Sequence, residues 1–140
     1  MHATRERLAY AVAWAAATTP LIMTVGYAVA TIRSGDFHVG MIVFACLAAY
    51  VIGWPCALVG GALIAFAFGK GVIENNRSAS IASVVAATVL GYAGVWMVWT
   101  YYDDDMRYLN TMSLAGAIAG LVAGVCFCYL ARLDAPRLEG

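Results

Sequence analysis

The most distinctive polar residues of the chain form a short acidic run, Asp103, Asp104 and Asp105, followed by Arg107. Calcium takes about six to eight oxygen ligands, and three adjacent aspartates point in different directions whether their backbone is helical or extended. The run alone therefore does not predict a metal site. Two interpretations remain: a solvated loop, or an acidic surface that docks a basic partner through complementary charge.

The other side chains that serve as nucleophiles or ligands are isolated from one another. The four cysteines all lie in apolar stretches, at Cys46, Cys56, Cys126 and Cys128. Cys126 and Cys128 are two positions apart, which places their thiols about 200° apart around a helix, so we expect packing residues. His2 and His38 are both peripheral and provide neither a catalytic base nor a pair of haem ligands. The sequence predicts no enzyme, no cofactor and no metal.

The segments that position these residues are long and apolar. Of the 140 residues, 64% are hydrophobic and 11% are charged, whereas soluble domains are about 45–50% apolar and about 25% charged. This composition excludes a soluble globular fold. Every charged residue lies outside four runs, at positions 8–32, 37–69, 78–102 and 108–131. Each run exceeds the roughly 18 residues of a membrane-spanning helix.

We therefore predict an all-α membrane protein, a bundle of four transmembrane helices in one domain. The expected helices are 8–32, 40–66, 81–102 and 112–131. Six of the eight basic residues fall on one side of the membrane, namely Arg5, Arg7, Lys70, Arg77, Arg132 and Arg137. The positive-inside rule then places both termini in the cytoplasm of a bacterial-type inner membrane.

The N-terminal segment has a second interpretation. Arg5, Arg7, the apolar stretch and the sequence Ala28-Val29-Ala30 together resemble a cleavable signal peptide. The apolar stretch runs for about 20 residues, however, while the core of a signal peptide needs about 7–15. A retained first helix is the favoured interpretation.

Two prolines predict helix distortion. Pro20 lies near the middle of the first helix, where its missing N–H and its ring favour a kink. Pro55 nearly bisects the second run, whose 33 residues would extend nearly 50 Å as a helix, against about 30 Å of hydrocarbon. We expect one long helix bent at Pro55 and ending in a turn at Gly69-Lys70-Gly71. The alternative is a re-entrant break that lines a cavity, which would indicate transport.

Small residues recur at every fourth position in two of the helices. Gly116, Gly120 and Gly124 form such a ladder in the last helix, and a second ladder in helix two includes Gly53 and Gly61. Ladders of this kind let two helix backbones approach closely. They predict packing of the last helix against helix two or three, with oligomerisation through Gly116 to Gly124 as the alternative.

The absence of charge inside the runs bears on function. Ion or proton transport needs ionisable residues within the membrane, and a net charge of zero gives no basic surface for nucleic acid. We expect a non-enzymatic inner-membrane protein that acts through protein–protein interaction, as an accessory subunit or an immunity-type protein. Its partners would be the bilayer and another membrane or extracytoplasmic protein, or a second copy.

The alternative function is a small oligomeric channel or carrier for a small or lipid-linked substrate. Its path would be lined by threonines, by backbone at Pro55 and by Tyr92, Trp96 and Trp99. A polar cavity at the membrane midplane would favour transport, and a dry, closed bundle would favour interaction.

Overall fold

The chain folds into long helices that run back and forth across a bundle. The computed structural model describes residues 2–102 and 109–133. Its helices are α1 (His2–Ser34), α2 (Val39–Ala48), α3 (Trp54–Ile73), α4 (Arg77–Tyr102) and α5 (Leu109–Leu133). A π-helical turn, Ala49–Gly53, joins α2 to α3, so these parts form one second span, Val39–Ile73. The prediction of an all-helical protein with four spans long and apolar enough to cross a membrane is confirmed.

The helix ends differ from the predicted ones where glycine was taken for a turn. The expected turn at Gly69-Lys70-Gly71 is wrong, because α3 continues to Ile73. Gly69 leaves room for the Leu8 side chain, since a Cβ on it would lie 2.9 Å from the δ-carbons of Leu8. The turn comes later, where Asn75 has a φ of 58°. Asparagine tolerates this left-handed conformation better than most residues do.

The two prolines lie within continuous helical backbone. Pro20 is buried inside α1, where the hydroxyl of Thr24 donates a hydrogen bond of 2.8 Å to the Pro20 carbonyl. Pro55 is the second residue of α3 and directly follows the π-helical turn. The backbone therefore stays helical through Trp54 and Pro55, and the bend at Pro55 stays a prediction.

Helix α5 is the centre of the bundle. It packs along both α1 and α4, and α3 fills the remaining side by packing on α1 and α4. Helix α2 packs on α1, and within residues 2–102 and 109–133 it reaches neither α4 nor α5. No residue of α2 or of the π-helical turn is buried. The second span therefore leans against the bundle through α3 and separates from α4 along α2.

A cluster of buried residues lies towards the end of the bundle where α1 begins and α5 ends. Its members are small or medium apolar residues: Ala11, Val12, Ala15, Ile64, Ala65, Val72, Phe127, Cys128 and Ala131. Lipid tails are as apolar as these side chains, so close packing rather than the hydrophobic effect holds such helices together. We call this the closed end, because α1, α3, α4 and α5 all meet there.

Candidate functional site

A large apolar cavity lies between the four spans. Its volume is about 650 Å³, within the range of about 300–1,000 Å³ that small-molecule sites occupy. The lining residues come from every span and fall within positions 12–27, 41–64, 87–98 and 112–127. On α1 the lining extends from Val12 to Tyr27, and fifteen steps of 1.5 Å give the cavity a length of about 22 Å along the helix. This cavity, which we call the groove, is the candidate functional site.

The groove is made by side chains that are small. About half of the lining residues are glycine or alanine, and Val12, Ile64 and Phe127 form a floor that belongs to the buried core. The lining residues include no Asp, Glu, Lys, Arg or His. The hydroxyl and thiol groups on its wall are those of Thr19, Tyr27 and Cys56. The groove can hold an apolar molecule and offers nothing to balance a charge.

The groove opens sideways between the second span and α4. The two walls are close at Gly60, where a Cβ would lie 3.9 Å from Leu90 Cδ1. Further along, a Cβ on Gly53 or on Gly94 would meet no atom within 4 Å. The lining side chain of Phe44 is 68% exposed. Both edges of the opening are helices long and apolar enough to span a membrane.

The glycines of the α5 ladder lie against α4. Gly116 faces the main chain of Gly91, and Gly120 faces the carbonyl of Ala87. A Cβ on Gly124 would lie 2.9 Å from Val84 Cα. The backbones of α4 and α5 are therefore nearly in contact along this face, and only glycine fits there.

The ladder of the second span has two different roles. Gly61 packs against α1, where a Cβ would lie 2.9 Å from Val12 Cγ1. Gly53 has open space around it and forms part of the groove wall. The same small-residue spacing thus gives a helix contact in α3 and an empty volume in the π-helical turn.

Asp103, Asp104, Asp105 and Arg107 lie outside the described residues. Docking through their charge stays a prediction.

A polar cluster at the closed end was missed by sequence reasoning. Arg132 Nε donates to the carbonyl of Val72 over 3.4 Å, and the Arg132 guanidinium also bonds the hydroxyl of Ser80. The buried hydroxyl of Ser83 donates to the Ser80 carbonyl over 2.9 Å and contacts the Cys128 thiol at 3.3 Å. These bonds join α3, α4 and α5. The cluster therefore links the three helices at the closed end. In the sequence it is indicated only by three polar residues near two helix ends, namely Ser80, Ser83 and Arg132.

Removing the hydroxyl in this cluster should loosen the closed end. We expect Ser83→Ala to lower the free energy of unfolding by about 0.5–1.5 kcal/mol, because one buried hydrogen bond is lost and Cys128 keeps no side-chain partner. The measurement is thermal unfolding in detergent. Ser78→Ala is the matched control, since Ser78 is exposed one turn earlier on α4. Equal melting of the two variants would contradict the role given to the cluster.

The described residues contain no group of three or more His, Cys, Asp or Glu side chains that could hold a metal ion. The chain matches no protein family model, no curated protein and no solved structure. The groove and its chemistry therefore carry the functional argument.

Proposed function

We propose that this protein is a non-enzymatic multi-pass membrane protein that binds the hydrocarbon chain of a lipid or lipid-linked molecule in the groove. The observation that carries this proposal is a volume of about 650 Å³ with an apolar lining and a side opening. An apolar cavity of about 150 Å³ binds benzene, which has six carbons. At the same volume per carbon the groove holds about 26 carbons, which is one long chain or two shorter ones.

The size of the groove favours a chain over a partner helix. An α-helix with its side chains is about 10 Å wide, whereas the second span and α4 come close at Gly60, where a Cβ would lie 3.9 Å from Leu90 Cδ1. A hydrocarbon chain is narrow enough to enter between the second span and α4. It also leaves the bilayer for an equally apolar surface, so its transfer needs no passage through water.

The lining also favours a lipid-like ligand over an ion. An unpaired charge inside a membrane is costly and is balanced by ionisable side chains or a water-filled path where it occurs. The residues that line the groove include no Asp, Glu, Lys, Arg or His. Of the two functions weighed from the sequence, the carrier for a lipid-linked substrate therefore has the better support.

We further propose that the closed end faces the cytoplasm of a bacterial-type inner membrane. Tyr10 and Trp14 support this placement, because both are more than half exposed near the start of α1 and their ring centroids are 6.1 Å apart. Aromatic pairs of this kind sit at the headgroup level. Lys70 is exposed at the same end, as the positive-inside rule expects of a cytoplasmic surface. The open half of the groove would then face the outer leaflet.

The interaction hypothesis remains beside this one. An accessory-subunit or immunity-type role would use the acidic run, Asp103 to Asp105, and nothing in residues 2–102 or 109–133 favours it specifically. It is compatible with chain binding, since a lipid-binding subunit can also assemble with a partner.

Photolabelling tests chain binding directly. Purified protein in a mild detergent is irradiated with hexadecane that carries a diazirine, and the labelled residues are mapped by mass spectrometry. We expect saturable labelling of groove residues such as Phe44 and Leu90, which excess unlabelled hexadecane abolishes. Phe66 is the internal control, because it is 94% exposed and faces lipid away from the groove, so its labelling should not saturate. Labelling that is equally unsaturable at both places would overturn the proposal.

A further inference from the structure

One hydroxyl on the groove wall has unused hydrogen-bonding capacity. Thr18, Thr24 and Thr31 each donate to a main-chain carbonyl of α1, over 2.7, 2.8 and 3.0 Å. Thr19 lies among them and lines the groove. Within the described parts of the chain its hydroxyl has no hydrogen-bond partner. Thr18 donates to the Ala15 carbonyl, which is the i−4 carbonyl of Thr19.

The main chain next to Thr19 offers a second polar group. In a regular α-helix the carbonyl of Ala16 accepts from the amide of residue 20. That residue is Pro20, which has no N–H to donate. Among the residues described, no side chain donates to the Ala16 carbonyl in its place. Ala16 also lines the groove, so an acceptor and a hydroxyl stand one helical turn apart on the same wall.

These two groups lie at the middle depth of the groove. Thr19 is seven residues from Val12 at the floor and eight from Tyr27 at the other end, which is about 10–12 Å along the helix in each direction. Apolar wall extends on both sides of it. A partly buried hydroxyl without a partner on an apolar wall is unfavourable, and a ligand atom that can hydrogen-bond would match it.

We infer that the groove selects an uncharged chain that carries a hydroxyl or carbonyl oxygen within its length, bound at Thr19. This inference rests on the proposed function, because it assigns the ligand class of the same groove. The hydroxyl of Thr19 can donate to either oxygen. The carbonyl of Ala16 can accept only from a ligand hydroxyl, so an alcohol satisfies both groups and a ketone satisfies one.

The test compares three probes with one chain length: hexadecane, hexadecan-8-one and hexadecan-8-ol. Each displaces the diazirine probe from the purified protein, and dissociation constants are expressed as mole fractions in the micelle, which removes differences in partition. We expect the alcohol to bind more than about fivefold more tightly than the alkane, because one neutral hydrogen bond provides about fivefold and the alcohol makes two. The ketone should fall between them.

Variants of two neighbouring threonines assign the effect. In Thr19→Val the ratio between ketone and alkane should fall to about one, because the ketone can only accept and loses its donor, and Thr19→Ser, which keeps the hydroxyl, should restore it. Thr18→Val is the matched control and should keep the full ratio, because its hydroxyl serves Ala15 and does not line the groove.

The outcomes separate this inference from the proposed function. A ratio near one in the unmodified protein overturns the inference while chain binding stands, and indicates that a bound water serves Thr19. A ratio that survives Thr19→Val also overturns it. If none of the three probes displaces the diazirine chain, the proposed function fails.

Discussion

A Gly120→Leu variant is expected to lose about 3 kcal/mol or more of stability, at the upper end of what overpacking costs. A Cβ at this position would point at the Ala87 carbonyl oxygen and would lie 2.8 Å from the Ala87 carbonyl carbon and 3.0 Å from Thr88 Cα. These are backbone atoms, which cannot rotate away as a side chain does. The two helices must separate, so the dispersion contacts along the whole α4–α5 face weaken.

Thermal unfolding in detergent measures this loss, with Gly40→Leu as the control. Gly40 lies in α2, a Cβ on it would meet nothing within 4 Å, and it does not line the groove. Both substitutions replace glycine by a good helix former, so propensity cancels in the comparison. Equal melting temperatures for the two variants would mean that α4 and α5 do not pack as described.

The second large effect is expected on binding rather than on stability. The double variant Gly53→Leu/Gly94→Leu should bind hexadecane at least about tenfold more weakly, which corresponds to about 1.4 kcal/mol. The affinity is measured by displacement of the diazirine probe. The two glycines stand on opposite walls with open space before them, so the new side chains fill the groove without meeting backbone. We expect unfolding at an equal or higher temperature, because each substitution also improves helix propensity.

Gly40→Leu again separates a general effect from a local one, since its side chain points outside the groove. Hexadecane should bind this control as it binds the unmodified protein. If Leu90 of the double variant is still labelled by the diazirine probe, and hexadecane still abolishes this labelling, the hydrocarbon chain does not bind in the groove.

The number and type of elements could be read from the sequence because charge is so costly in a membrane. All sixteen acidic and basic residues lie outside the four apolar runs, and each run became one span. The helix ends were less accessible. Gly69 was taken for a turn, whereas its missing side chain makes room for Leu8 and the helix continues.

The groove could not be predicted, because it depends on how two spans diverge. Gly53 and Gly61 belong to one ladder, yet Gly61 contacts Val12 while Gly53 faces empty space. Their spacing shows only which positions of the helix face carry no side chain. Whether a neighbouring helix fills the space at each position depends on the packing of the whole bundle. The cavity that the described residues form matches neither of the two outcomes expected from the sequence, because it is open and apolar.

The unused hydroxyl at Thr19 was equally hidden. In membrane helices, threonines next to a proline can satisfy the backbone groups that the proline frees. Thr18 and Thr24 do bond main-chain carbonyls, but those of Ala15 and Pro20 rather than that of Ala16. Which rotamer each threonine adopts depends on neighbouring helices, and this information is not local in the sequence.

The π-helical turn makes the width of the groove sensitive to a small rotation. Helix α2 extends about 15 Å beyond this turn, and among the other helices of the described residues it packs on α1 alone. A rotation of about 20° there, the size of an ordinary helix kink, would move the far end of α2 by about 5 Å. Such a swing breaks few packed contacts because α2 contains no buried residue. Bilayer thickness and lateral pressure, which act on the tilt of a span, would thereby act on the opening through which a chain enters.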